Sequence, residues 1–461
     1  MAVRRSGWTW FLGVVIVGVL ADGWRSEAGA IPAFTRTLNV PCRHCHTIPP
    51  ALNDAGEAFR VNGHRLVGPT QPGTEPTPEP GATDPPAGVD RADWPLSART
   101  IFGYSYRSRD NQDTDLGDAK VQTRTFGTER LEVLLGGPLA RNTNFFVRYR
   151  PEVSNADLWT AEGQAGELDS AWVRVNDIAI GSSLKINMKF GAFELDVPMS
   201  QYRRHSLSTA SVSGRQVAIP IYGYFPTGSA AADDPETTLD WSRAQRGAEV
   251  SGRAPGGLAY SLALINGTNG RADSNKALDY YLRVYQPVER SHAGGFLYWG
   301  TASANAQFTP TAEPIPGTGQ SNHPFYRIGV DGDIRSAPLR LFTLVAYGRD
   351  SAGLFGGSDP QDASFWGGFL ELQYDLLADW SLLWALRYDI IRNLDQGDAT
   401  TDSHTGDLDG VTWAVRYDWM ETNRVALILH GEYSHSKTEA TSFDGNDQID
   451  NRFTAALDLM F

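Results

Sequence analysis

Cysteine, positive charge and long hydrophobic runs are all scarce in this chain of 461 residues. No stretch of about 18 or more apolar residues follows the N-terminal region, so a membrane-spanning helix and an inner-membrane protein are not expected. Forty lysines and arginines stand against 54 aspartates and glutamates, and the formal net charge is −14. Nucleic acid is therefore not an expected partner, because binding to phosphates requires a basic face.

The only two cysteines lie in one short motif, Cys42-Arg43-His44-Cys45-His46. Two thiols separated by two residues and followed directly by a histidine are typical of c-type haem attachment. The thiols bond to the haem vinyl groups, and the histidine is the proximal ligand of the iron. The alternatives are a structural zinc site, which needs four protein ligands, and a redox pair, which is expected in a thioredoxin-like βαβ unit. We predict one c-type haem, held by Cys42 and Cys45 and ligated by His46.

The first 30 residues have the features of an export signal. Arg4 and Arg5 precede a short apolar run from Phe11 to Ala21, and Ala28-Gly29-Ala30 is a small-residue cleavage site. Haem of this type is attached after export, so the signal and the motif support each other. The mature chain is expected to begin near Ile31 and to function outside the cytoplasm.

Three regions are predicted after the signal. Residues 31–66 form a small haem segment, residues 67–94 form an extended linker interrupted by prolines, and residues 95–461 form a transmembrane β-barrel. The barrel prediction rests on segments of about ten residues in which apolar and polar side chains alternate. Many aromatic residues combined with a negative mean hydropathy are also typical of such a barrel.

The last segment shows the alternation most clearly. Its two faces consist of Phe453, Ala455, Leu457, Leu459 and Phe461, against Arg452, Thr454, Ala456 and Asp458. Lipid outside and water inside require this division, and about sixteen such segments give the even strand number of bacterial outer-membrane barrels. A large soluble antiparallel sheet protein is the alternative.

Short turns should face the periplasm and longer connections the exterior. The short turns are predicted near Gly136-Gly137-Pro138, Asp177, Pro255-Gly256, Val288 to His292, Asp331-Gly332-Asp333, Leu377 to Asp379, and Met420 to Asn423. Both ends of the barrel, and with them the haem segment, are then expected on the periplasmic side.

The haem segment is too small to bury a core of its own, so the haem must stabilise it. A helix is predicted from Pro50 through Asn62, with Leu52, Ala55 and Phe59 on the face towards the porphyrin. Much of the haem surface would remain uncovered, so we expect the segment to dock against or inside the barrel mouth.

The sixth iron ligand is expected to be a histidine, because the haem segment contains no methionine. His64, just after the predicted helix, is the leading candidate, and its alternative role is a solvated histidine beside Arg65. His44 cannot readily turn back over the distal face, and His205 would ligate only if its long loop folded into the lumen. His430 is expected to face the lumen as an ordinary polar residue.

A group of residues in the haem segment carries a resemblance to a known family. The residues are Ile31 to Arg36, Cys42 to His46, Pro50, Leu52, Asn53, Gly56, Phe59, Arg60 and Gly63. This pattern resembles the N-terminal motif of the fused monohaem cytochrome–porins, which include outer-membrane iron oxidases; over the barrel the resemblance extends only to architecture and length. It implies a haem at the periplasmic part or in the lumen of an outer-membrane barrel. It further implies an extracellular electron donor such as Fe(II), and a periplasmic carrier such as a soluble cytochrome c.

Two functions are compatible with these expectations. The first is an electron conduit across the outer membrane, with the activity of an Fe(II)-oxidising electron-transfer cytochrome. The second is a porin-type solute channel whose haem-bearing segment is a plug, gate or redox sensor. In that case the lumenal cations would favour anions. These cations are expected to be Lys185, Lys189, Arg148, Arg150 and Arg416.

Overall fold

A computed structural model describes fifteen stretches of the chain. They are residues 42–49, 51–61, 96–111, 119–140, 142–151, 167–180, 184–198, 244–267, 277–303, 322–351, 360–377, 381–398, 407–421, 425–439 and 447–461. The predicted export signal and linker, together with the predicted ligand His64 and the alternative His205, lie outside these ranges.

Residues 42–61, here called the motif segment, contain four short elements. These are α1 (Cys42–Cys45), β1 (His46–Ile48), β2 (Ala51–Leu52) and α2 (Asp54–Val61). The predicted helix therefore begins at Asp54, four residues later than expected. Gly56 and Phe59 are the buried residues of this helix, Leu52 is buried in β2, and Ala55 is exposed. No helix within the described residues is long and apolar enough to cross a membrane.

The remaining strands form one closed antiparallel barrel. They are β3 (Leu96–Asn111), β4 (Ala119–Ala140), β5 (Thr143–Arg150), β6 (Glu167–Ile180), β7 (Leu184–Phe193), β8 (Gln245–Arg253), β9 (Ala259–Ile265), β10 (Asp279–Val288), β11 (Ser291–Ser303), β12 (Asn322–Ser336), β13 (Leu339–Asp350), β14 (Pro360–Asp375), β15 (Leu382–Asp398), β16 (Leu408–Glu421), β17 (Ala426–Thr438) and β18 (Gln448–Met460). Consecutive strands pair with one another, and β18 closes the barrel on β3, with Met460 opposite Arg99. The predicted sixteen-stranded barrel is confirmed.

The alternation predicted for the last strand is confirmed. In β18 the lumenal residues Arg452, Thr454, Ala456 and Asp458 are all at most 8% exposed. Large apolar residues such as Phe102, Trp299 and Val345 are about half exposed on the outer face. Charged residues inside and apolar residues outside are the reverse of a soluble sheet protein, which excludes that alternative.

Three of the predicted short turns are wrong. Gly136 to Pro138 continue strand β4, and Asp177 lies in β6 at an irregularity of the ladder, with a φ of 56°. Asp331 to Asp333 lie inside β12, which runs on to Ser336. Turn-forming residues are tolerated there because Asp333 points into the lumen, where Arg340 Nη2 donates to it at 2.7 Å.

An apolar cluster covers part of the lumenal wall. It consists of Phe193, Leu195, Val197, Ala263, Ile265, Tyr281, Phe296, Tyr298, Phe325, Phe342, Leu344, Ala346, Phe365, Phe369, Ile391 and Leu408. Leu195 and Val197 follow β7, so the chain turns inwards there instead of leaving the barrel. The hydroxyl of Tyr281 fixes this turn by donating to the backbone oxygen of Asp196 at 2.8 Å.

Candidate haem site

The cysteine motif forms a compact unit at the start of the motif segment. Helix α1 is a single turn from Cys42 to Cys45, and His46 begins β1 immediately after it. Cys45 and His46 are buried, and Cys45 is not in a disulfide. Burial raises the pKa of the Cys45 thiol to about 11, so this sulfur is neutral at ordinary pH. A cysteine directly before a buried histidine matches the residue types that a c-type haem needs for attachment and for the proximal ligand.

Asn53 connects the motif to helix α2. Its side-chain oxygen accepts a hydrogen bond from the Gly56 amide at 3.0 Å, which caps the helix N-terminus. Its amide nitrogen donates to the backbone oxygen of His46 at 3.2 Å, and its backbone nitrogen donates to that of Cys45 at 3.0 Å. Asn53 therefore caps α2 and also bonds to the backbone of Cys45 and His46, two of the predicted haem-binding residues.

Gly56 allows α2 to lie directly on the motif. A Cβ atom at this position would lie 1.9 Å from the backbone oxygen of Cys45 and 2.9 Å from Leu52 Cδ2. The neighbouring backbone would have to move for any larger residue. The close approach fixes the helix relative to Cys45.

One side of the motif segment is anchored to the wall formed by β15 to β18. Arg416 Nη2 donates to the backbone oxygen of Pro49 at 2.5 Å. Next to it, the fully buried Ile48 enters an apolar socket formed by Leu383, Ala426, Ile428 and Met460. The turn between β1 and β2 is thus held both by a charged hydrogen bond and by apolar packing.

The C-terminal end of α2 is anchored on a second part of the wall, at β6. Arg174 donates to the backbone oxygens of Arg60 and Val61 at 2.9 and 2.5 Å, which satisfies carbonyls that a helix end leaves open. Arg60 in turn pairs with Asp196 at 3.0 Å and with Glu57. Burial lowers the pKa of Arg60, but the two carboxylates outweigh that effect and raise the pKa well above its ordinary value.

A third anchor involves β12, near the end that a short connection joins to β13. Arg335 Nη1 donates to Asp54 Oδ1 at 2.6 Å, at the first residue of α2. Arg335 and Arg340 both also bond to Asp333, so the anchor belongs to a larger ion-pair cluster. A carboxylate in the first turn of α2 is also favoured by the helix dipole.

The three anchors surround the motif segment. In the closed strand order, three strands separate β12 from β16, five separate β16 from β6, and five separate β6 from β12. Arg174, Arg335 and Arg416 all lie towards the strand ends that are joined by short connections. The segment therefore lies inside the lumen at the short-turn end of the barrel, in agreement with the docking expected from the sequence.

Four of the five cations expected to favour anions are paired with carboxylates. Their partners are Glu249 for Lys189, Asp169 and Glu194 for Arg148, Asp169 for Arg150, and Asp458 for Arg416. Lys185 is exposed. The paired cations create little net positive potential, so their number alone does not indicate anion selectivity.

A cavity beside α2 and the contact between His430 and Glu432 were not predicted. A cavity of about 60 Å³ lies between the end of α2 and the wall, lined among others by Arg60, Trp172, Lys189 and Glu249. The lumenal wall also contains the buried His430, whose Nε2 lies 3.1 Å from Glu432 Oε2. His430 faces inwards as expected. Within the described residues, no group of three or more His, Cys, Asp or Glu side chains is arranged to hold a metal ion.

No protein-family model matches the sequence, and no curated protein matches it. Among solved structures, the outer-membrane channel DcaP of Acinetobacter baumannii is similar at 12% identity and a TM-score of 0.49, covering 79% of this chain and 97% of that one. An anion-selective porin from Comamonas acidovorans is similar at 10% identity and a TM-score of 0.45, covering 79% and 99%. OmpT of Vibrio cholerae is similar at 11% identity and a TM-score of 0.42, covering 79% and 99%.

The class of this protein follows from its own structure. A closed antiparallel barrel of sixteen strands, with an apolar outer face and a charged lumen, defines an outer-membrane β-barrel of the porin type. The barrel holds a segment with a Cys-x-x-Cys-His motif inside its lumen, at the end where the strands are joined by short connections.

Proposed function

We propose that this chain is an outer-membrane monohaem cytochrome–porin that transfers electrons across the bacterial outer membrane. The electron donor is extracellular, with Fe(II) as the expected donor, and the acceptor is a periplasmic carrier such as a soluble cytochrome c. The protein would then act as an Fe(II)-oxidising electron-transfer cytochrome. Insoluble ferric product would remain outside the cell, which is the physical advantage of this location.

The observation that supports this proposal is the position of the motif segment. Arg174, Arg335 and Arg416 hold it inside the lumen from three parts of the wall. A haem carried on a segment tethered outside the barrel would need no such contacts. A haem on a segment held in the lumen would lie between an extracellular donor and a periplasmic acceptor.

Different residues of this chain would attach, ligate and position the haem. Cys42 and Cys45 would hold the haem covalently, His46 would be its proximal ligand, and His64 is the candidate distal ligand. A bound haem would supply one-electron redox chemistry at its iron. Asn53 and Gly56 would keep α2 against the motif, and the barrel strands would separate the site from lipid.

A second candidate function is a porin-type solute channel with the haem-bearing segment as a plug or redox sensor. The sixteen-stranded barrel favours it, because barrels of this size commonly enclose an aqueous channel. The cavity beside α2 shows that the plug does not pack against the wall everywhere. Polar atoms line this cavity, so water is its natural content.

The two candidates differ in what crosses the membrane. The test uses haem-loaded, full-length protein in liposomes that enclose oxidised soluble cytochrome c, with Fe(II) added outside at a pH where it is stable. The Cys42→Ala/Cys45→Ala variant in matched liposomes is the control for Fe(II) leaking through the lumen. Single-channel conductance is recorded for both proteins in planar bilayers.

An electron conduit reduces the enclosed cytochrome only when the haem is present, and its conductance is low. Equal reduction with both proteins means that the donor passes through the lumen, which supports the channel. If Fe(II) never reduces the bound haem at any pH where Fe(II) is stable, the iron-oxidising function is overturned, although the haem itself is not.

A further inference from the structure

The buried Arg416 is the wall residue that contacts the loop after the predicted proximal ligand. It lies on β16 and is 1% exposed, and its Nη2 donates to the backbone oxygen of Pro49 at 2.5 Å. Pro49 follows β1, the strand that begins with His46, by a single residue. A movement of Pro49 is therefore transmitted over three residues to the predicted iron ligand.

The loop from His46 to Pro49 is held from two directions. Inside the motif segment, Asn53 Nδ2 donates to the backbone oxygen of His46 at 3.2 Å. From the barrel wall, Arg416 holds the other end of the loop at Pro49, and the socket around Ile48 prevents the strand from rotating. Arg416 provides a directional bond between this loop and the wall.

Arg416 belongs to a buried network of charged side chains. Its carboxylate neighbour Asp458, at 3.4 Å, already accepts two hydrogen bonds from Arg99, at 2.9 and 2.6 Å. Arg99 also lies 3.9 Å from Glu132, and Glu432 and Asp418 are further acidic neighbours of Arg416. The next lumenal carboxylate, Glu432, lies 3.1 Å from His430, the residue paired with Arg416 across the ladder. A charge buried in this way acts over a longer distance than one in water.

We propose that Arg416 is a positioning residue of the haem site that also raises the haem midpoint potential. Its bond to Pro49 fixes the strand that begins with His46. Its buried charge favours the ferrous haem, which has one positive charge fewer than the ferric form. This inference rests on the proposed function, because it requires a covalently bound haem.

Matched variants separate the two roles in haem-loaded, full-length protein. Arg416→Gln keeps an amide donor for Pro49 but removes the charge, and Arg416→Lys keeps the charge. Arg327→Gln is the control, because Arg327 is equally buried and paired with Asp350, at the long-loop end of the barrel. The measurements are the haem midpoint potential and the absorption spectrum that reports the spin state.

We expect Arg416→Gln to lower the midpoint potential, Arg416→Lys to keep it near that of the unaltered protein, and Arg327→Gln to leave it unchanged. An unchanged potential in Arg416→Gln, or an equal shift in Arg327→Gln, overturns the inference. If Arg416→Gln does not assemble, Asp458→Asn decides, because removal of the shared carboxylate should raise the potential. Absence of covalent haem from the unaltered protein would instead overturn the proposed function, and this inference with it.

Discussion

Arg60 of α2 and Asp196, which lie 136 positions apart in the chain, form an ion pair with 3.0 Å between Nη2 and Oδ1. The pair joins the motif segment to the inward turn that follows β7. The same turn is fixed to the wall by Tyr281. The described start of the connection after β7, residues 194–198, is thus linked to the motif segment inside the lumen.

Loss of the ion pair between Arg60 and Asp196 should loosen the attachment of the motif segment to the barrel. Arg60→Ala removes the contacts with both Asp196 and Glu57, and charged hydrogen bonds of this kind contribute about 1.5–3 kcal/mol each. We expect higher single-channel conductance and faster proteolysis of the motif segment in the assembled barrel. Arg349→Ala, which breaks an exposed ion pair with Asp362, is the control and should change neither. Identical conductance in Arg60→Ala and the control would show that the ion pair between Arg60 and Asp196 does not hold the motif segment in place.

Replacement of both cysteines should abolish covalent haem attachment. Cys42→Ala/Cys45→Ala leaves the chain with no thiol, since it contains no other cysteine. Denaturing gels stained for haem peroxidase activity report the covalent bond. Undiminished staining of the double variant would disprove the attachment site.

Gly56→Ala should displace α2 from the motif. The added Cβ would lie 1.9 Å from the Cys45 oxygen, and overpacking of this kind typically costs about 1–3 kcal/mol. We expect a lower yield of haem-loaded protein and easier proteolysis within residues 42–61. Ala55→Ser, at the exposed neighbouring position, is the matched control. Equal haem yields in the two variants would contradict the tight contact.

Phe461 should be needed for barrel assembly. Phe461 exchanges two backbone hydrogen bonds with Ala98, at 2.7 and 2.9 Å, and its ring is about half exposed on the apolar outer face. Deletion of Phe461 or Phe461→Asp should reduce outer-membrane levels and the heat-modifiable gel mobility of a folded barrel. Phe461→Tyr should preserve both. Normal mobility of the deletion variant would count against closure by this strand.

His64 is predicted to be the distal haem ligand. Two imidazoles donate more strongly to iron than an imidazole and a thioether, so a bis-histidine haem has the lower potential. His64→Ala should convert a low-spin spectrum to a high-spin or ligand-accessible one, whereas His64→Met should remain low-spin with a higher potential. If His64→Ala changes neither spectrum nor potential, the sixth ligand is another residue, and His205 is the next to test.

The barrel was predictable because its signal is local and repeated. Arg452, Thr454 and Asp458 alternate with apolar residues in the sequence, and the same alternation divides lumen from outer face in the structure. The turn predicted at Asp331 to Asp333 failed because its residue types favour turns locally. A distant arginine, Arg340, stabilises the extended chain there instead.

The docking geometry of the motif segment could be predicted only in outline. A segment too small to fold alone must bind somewhere, and the barrel mouth was the expected place. The contacts themselves join residues very far apart, such as Arg416 and Pro49, which are 367 positions apart. Nothing in the local pattern around Arg416 distinguishes it from other lumenal arginines. Helix α2 began later than predicted because Asn53, rather than Pro50, caps it.

The closure of β18 on β3 has a consequence for biogenesis. The wall around Ile48 includes Met460, near the end of the chain, and Ala426 and Ile428 from the preceding strand. The apolar surface that binds Ile48 is therefore complete only when β17 and β18 have joined the barrel. The motif segment is synthesised before the strands that surround Ile48. Its packing against the wall can therefore be completed only after β18 has been added. A chain truncated before β18 would lack Met460 and with it part of the apolar wall around Ile48.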